Sequence, residues 1–154
     1  MQLERLLAAV VVLGAGGAFA TPSSAGICTL IADPLDGTLK LSGDGYHLDS
    51  QLAGGRTSLL VVTSIGGSTL TVETPTLTQW PAGYNPAGLT YEVAVRGIVG
   101  LGSINQAYTT GPTALPIPSL GIGGSATLGI DNRVNATIGF KAGTYRTRTV
   151  VTCS

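Results

Sequence analysis

Charge is scarce in this sequence. Charged residues occupy 10% of its 154 positions, and eight acids are balanced by eight bases. No basic or acidic field is available to draw the chain to nucleic acid or to an anionic membrane surface. Aromatic residues are equally thin, at 5%, with one tryptophan and one histidine. Two cysteines and one histidine fall short of a four-ligand zinc site, so no metal is expected. A Ser–His–Asp triad would have to recruit His47 with Asp44 or Asp49, yet no G-x-S-x-G elbow accompanies them. His47 reads instead as an exposed histidine in a polar loop. Five aspartates and two glutamates follow residue 20. No two of them stand out as the carboxylate pair of a glycosidase, and no cofactor motif is present. The sequence therefore reads as non-enzymatic.

Long apolar runs are also missing, except at the start. Leu6 to Phe19 is apolar or small, Arg5 precedes it, and Ala18-Phe19-Ala20 matches a small-x-small cleavage pattern. The run is shorter than the roughly 20 residues a membrane-spanning helix needs. Residues 1–20 are expected to be a signal peptide, with Ser23-Ser24-Ala25 as a later alternative site and residues 21–154 as one exported domain. Ile27 stands where a lipobox requires a small residue, which argues against lipidation of Cys28. The expected location is secreted, periplasmic or at the cell surface.

Export makes a disulfide the default reading of Cys28 and Cys153, which lie near opposite ends of the chain. On the chain-entropy model, closing so long a loop contributes roughly 4–5 kcal/mol. It also requires the first and last strands to approach within about 6 Å at those Cα atoms.

Threonine, valine, isoleucine and glycine dominate what remains, and the apolar pattern has period two. Strands are expected at residues 39–41, 57–64, 68–78, 91–97, 126–130, 134–140 and 144–153, with Pro75 starting a new strand or an edge. "SGDG", "IGGS", "WPAGYNPAG", "GIGGS", "IDNR" and "KAG" read as turns between them. The stretch 109–124, with three prolines and four glycines, reads as a long connection. About seven short strands of this kind imply an all-β, antiparallel sandwich of immunoglobulin-like or pilin-like form. In the last strand, alternation places Tyr145, Val151 and Cys153 inward and Arg146 and Arg148 outward.

Two further features bear on function. Asp33, Asp36, Asp44 and Asp49 crowd one segment, but their spacing matches no calcium loop and Asp-Gly and Asp-Pro are ordinary turn chemistry. Trp80 and Tyr84 share a Pro/Gly loop. An exposed Trp80 would offer a stacking platform for a glycan or a protein, whereas a buried one would cap the core. "NAT" at 135–137 has the pattern of an N-glycosylation acceptor.

The tail "AGTYRTRTVVTCS", through Gly143, Tyr145, Thr147, Thr149 and Val151, resembles the last strand of spore-coat-U-like proteins and two-cysteine pilins. That resemblance implies a fibre subunit that associates with itself or with other surface subunits. Only "TPSSAGI" separates Ala20 from Cys28, so the apolar donor segment of such subunits is not present there. The expectation is a structural protein of a cell-surface or extracellular assembly, with a glycan- or protein-binding module built on Trp80–Tyr84 as the alternative.

Overall fold

Every described element is a strand. The computed structural model describes residues 27–32 and 38–154; the expected signal peptide, both expected cleavage sites, Asp33 and Asp36 lie outside these residues. Among the described residues twelve strands are present rather than about seven: β1 (Ile27–Ala32), β2 (Lys40–Leu41), β3 (His47–Asp49), β4 (Ser58–Ile65), β5 (Ser68–Val72), β6 (Thr76–Gln79), β7 (Thr90–Val99), β8 (Gly102–Thr109), β9 (Thr113–Ile117), β10 (Ala126–Asn135), β11 (Arg146–Arg148) and β12 (Val151–Cys153). All pair antiparallel.

The large sheet is organised by β10. On one side β10 pairs with β7, which carries β8 as a hairpin partner; on the other, its first half pairs with β4 and its second half with β3. β1 lies outside β4 and β2 outside β3. The smaller sheet is β12–β5–β9, prolonged by the β11–β6 ribbon. Gly66 and Gly67, at φ of 87° and 85°, let the chain cross from β4 in one sheet to β5 in the other, a backbone turn that side chains with a Cβ resist.

Alternation supplies the core. Leu60 and Val62 of β4, Val93 and Val95 of β7 and Leu128 and Ile130 of β10 face Leu70 and Val72 of β5 and Leu115 and Ile117 of β9. Each such side chain contributes about 1.5–3 kcal/mol when fully buried. Cys28 and Cys153 border this cluster and are bonded, with Cα atoms 6.1 Å apart. The disulfide ties edge strand β1 of the large sheet to edge strand β12 of the small one, so it joins the ends of the described chain and clamps one side of the sandwich.

Four expectations change. β10 runs unbroken through "IDNR", because Asp131 and Asn132 find hydrogen-bond donors and acceptors from other strands instead of turning to water. Residues 136–140 are consequently loop rather than strand. The stretch 109–124 contains β9, whose Pro116 is accommodated because β9 is the outer strand of its sheet. The final strand is two pieces, β11 and β12, although alternation persists: Tyr145, Thr147, Thr149, Val151 and Cys153 are half-buried, while Arg146 and Arg148 are exposed.

Candidate functional site

At the end of the sandwich away from the Gly66–Gly67 crossover, β6 runs into the loop that carries Trp80 and Tyr84. The structure separates these two residues. Trp80 remains 42% exposed, so it does not cap the core. Tyr84 turns inward and stacks on Phe140 at a ring separation of 5.7 Å, with Tyr145 edge-on to both at 5.4 and 5.2 Å. Such aromatic contacts add about 0.5–1.5 kcal/mol each beyond the area they bury. The sequence pointed to Tyr84 but not to Phe140. Tyr145 was expected inward at a corner of the sandwich, and it is half-buried in this triangle.

The loop preceding β11 holds the Trp80 loop in place. Lys141 Nζ donates to the Ala82 carbonyl at 2.9 Å, and the Tyr145 hydroxyl donates to the Lys141 carbonyl at 2.7 Å. Gly143 sits at φ 150°, and a Cβ there would lie 2.3 Å from Pro81 Cγ. The two loops therefore meet through a glycine that cannot be replaced without movement. Burial raises the pKa of Tyr84, helped by the neighbouring Tyr145 and Tyr91, and burial likewise raises that of Tyr145. Beside this corner lies an open cleft of about 370 Å³, with apolar walls from Leu39, Leu41, Leu48 and Tyr145 and two cations, Lys40 and Lys141, at its lining.

The second polar feature lies on the outer face of the large sheet, and sequence inspection missed it. The register sets Arg133 directly opposite Asp49 of β3 and opposite Glu92 of β7. Arg133 Nε and Nη2 reach Asp49 Oδ2 at 2.9 and 2.8 Å, and its guanidinium lies 3.9 Å above the Tyr108 ring. Asp49 Oδ1 accepts from the Tyr108 hydroxyl at 2.6 Å and from the Gln51 amide at 2.8 Å. Burial pushes the Asp49 carboxyl upward, but these donors outweigh it and the net shift is downward. Tyr108 moves up, through burial first and then its bond to Asp49. Asp131 accepts from Ser50, Thr57 and Gln51 and faces Arg96 at 3.6 Å. The signal was the run of polar residues at alternate positions of β10, namely Asp131, Arg133 and Asn135. Their donors come from segments far away in sequence, which local reading does not reveal.

The remaining candidates are dispersed. His47 opens β3, half-buried rather than in an exposed loop, with Nδ1 3.5 Å from Asp44 Oδ1. Asp44 is held by the Ser42 hydroxyl and the Tyr46 amide, which lower its pKa. Asn135 of the glycosylation pattern ends β10, and its Nδ2 donates to Glu92 at 3.0 Å, so its amide is already engaged. Among the described residues no three His, Cys, Asp or Glu side chains are grouped to hold a metal ion. Also among the described residues, no helix is long and apolar enough to cross a membrane. No family model matches the chain, and neither do the curated proteins or the solved structures with which it was compared.

Proposed function

We propose that this protein is a non-enzymatic structural subunit of a cell-surface or extracellular assembly. One observation carries the reading. Ile31, Val61, Thr127 and Ile98 stand opposite one another across β1, β4, β10 and β7, forming an uncharged row on the outer face of the large sheet. Ile31 and Ile98 are largely exposed, and β1, at one end of the row, is an edge strand. An apolar row running to an edge is suited to contact with another subunit. The disulfide fits an oxidising extracellular or periplasmic setting, and clamping β1 to β12 keeps that edge in shape under load. The two deepest carboxylates, Asp49 and Asp131, support the non-enzymatic reading because donors and cations from the same fold surround both.

The test is the native size of the exported protein across a concentration series, with electron microscopy of the same samples. Oligomers or fibres are expected, weakened by Ile31→Ser. A monomer at every concentration overturns the proposal.

A second reading rests on the exposure of Trp80: a module that stacks a sugar ring or a partner side chain there. Titrating Trp80 fluorescence with soluble cell-wall polysaccharides separates the two. A saturable shift, abolished by Lys40→Ala in the adjoining cleft, would favour the binder.

A further inference from the structure

Charge in this molecule is segregated along its long axis. Residues 27–32, 57–72, 97–130 and 149–154 contain no Asp, Glu, Lys or Arg. The topology brings parts of each to one end, while the turn at 109–113 lies at the other, with Thr109 opposite Val93 and Thr113 opposite Val72. β1 begins there, opposite the end of β4, at Ile27↔Ile65. The Gly66–Gly67 crossover, the Gly100–Leu101 turn of the β7–β8 hairpin, the connection from β9 to β10 and the end of β12 are all at that end. In the large sheet, the first charged side chain met on moving away from it is Arg96, opposite Gly129.

The two most exposed aliphatic side chains among the described residues are also at this end, although Ile138, 78% exposed, lies at the other. Leu101 is 111% and Ile122 96% exposed, and Ile27, Ile65 and Ile98 are exposed beside them. Leu101 stands between Gly100 and Gly102, and Ile122 between Gly121 and Gly123. A Cβ on either glycine beside Ile122 would meet nothing within 4 Å. The tips are separate projections in open space. Backbone groups around them are in part already satisfied: Leu120 N donates to the Ser64 carbonyl, Gly66 N to Ser119 Oγ and Gly124 N to the Gly121 carbonyl.

We infer that this end docks on a lipid bilayer, with Leu101 and Ile122 entering among the acyl chains. Three observations favour lipid over a second copy. A protein partner needs pockets matched to two separate projections, whereas a fluid acyl phase conforms to any shape. Internally bonded turns tolerate the loss of water that shallow insertion imposes. In sequence, the apolar run Leu6–Phe19 also precedes β1, the strand that begins at this end with Ile27. During export, the charge-free end is therefore the one presented to the membrane. With no charged side chain in the contact, docking is driven by apolar burial and is indifferent to anionic headgroups. The inference goes beyond the structural reading and holds whether or not subunits assemble.

The experiment is flotation of the exported protein with phosphatidylcholine vesicles. Binding is expected to be equal at about 0.1 and 1 M salt and to fall roughly tenfold or more in a Leu101→Ser/Ile122→Ser double variant. Both positions are fully exposed, so unchanged melting of the variant confirms its fold. Orientation supplies a second readout. A tryptophan introduced by Leu101→Trp, in a Trp80→Phe background, should be quenched by lipids brominated on their acyl chains, whereas the native Trp80 at the other end should not. Absence of binding, or equal binding by the double variant, overturns the inference. So does a concentration-dependent dimer that the same two substitutions dissolve, because the occupant is then a second copy.

Discussion

Tyr84 and Tyr145 touch the same phenylalanine, yet their hydroxyls have different fates. That of Tyr145 donates to the Lys141 carbonyl, whereas that of Tyr84 is buried without a partner among the described residues. A hydrogen bond of this kind contributes about 0.5–1.5 kcal/mol, and an unpaired buried hydroxyl costs free energy. Tyr145→Phe should therefore destabilise by about 1 kcal/mol, while Tyr84→Phe should be neutral or stabilising; paired denaturant melts compare them. Gly143 presents the opposite problem, because the space itself is missing. Gly143→Ala places a Cβ against the Pro81 ring at a φ that side chains rarely adopt. A loss of about 1–3 kcal/mol is expected, with a shift in Trp80 emission as the neighbouring loop moves.

β10 is the element on which the large sheet depends, and its outer face is polar. Asp49, reaching it from β3, has a folded pKa held below its unfolded value near 3.9. A depressed carboxyl contributes stability that is present above the unfolded pKa and is lost as pH falls through the folded pKa. The melting temperature should therefore drop below about pH 4. Asp49→Asn should flatten that acid limb and cost about 1–3 kcal/mol at neutral pH, since Arg133 loses its closest carboxylate and keeps only the longer contact with Glu92 at 3.8 Å, while staying one-third exposed to water. Thermal melts across the pH range, with and without the substitution, check both statements. β11 predicts the reverse behaviour. Arg146 and Arg148 project from it into solvent, so either changed to Ser should shift stability by less than about 0.5 kcal/mol in a denaturant melt. A larger loss would mean that the strand is turned inside out.

At the scale of the whole molecule, the disulfide is the one side-chain cross-link between the sheets among the described residues. Its cysteines are 125 positions apart, and the edge strands it joins make few other contacts with each other. Cys153→Ser should cost roughly 2–5 kcal/mol, and intact mass under non-reducing conditions should show a single chain with no free thiol. A covalent dimer as the main species would contradict the intrachain bond. The same clamp lies at the charge-free end, so loosening it should also disturb that end's exposed apolar tips.

The sequence by itself determined whatever depends on neighbours one and two positions away. Period-two alternation from Tyr145 to Cys153 decides which residues face inward, and it survives the break between β11 and β12. Pro75 separates β5 from β6 because a proline has no amide to donate to the ladder. Cysteine arithmetic pairs Cys28 with Cys153, since there are no other cysteines. Only the tertiary structure decided what depends on distant partners. "IDNR" stays in a strand because Ser50, 81 residues from Asp131, supplies a hydrogen bond there, and Pro116 stays in one because β9 lies at an edge. Trp80 and Tyr84 share a loop of one composition, yet Phe140 and Tyr145 draw only Tyr84 inward. Local sequence carries side-chain period and turn chemistry, whereas satisfying a buried polar group or filling a corner depends on which strands the fold brings together.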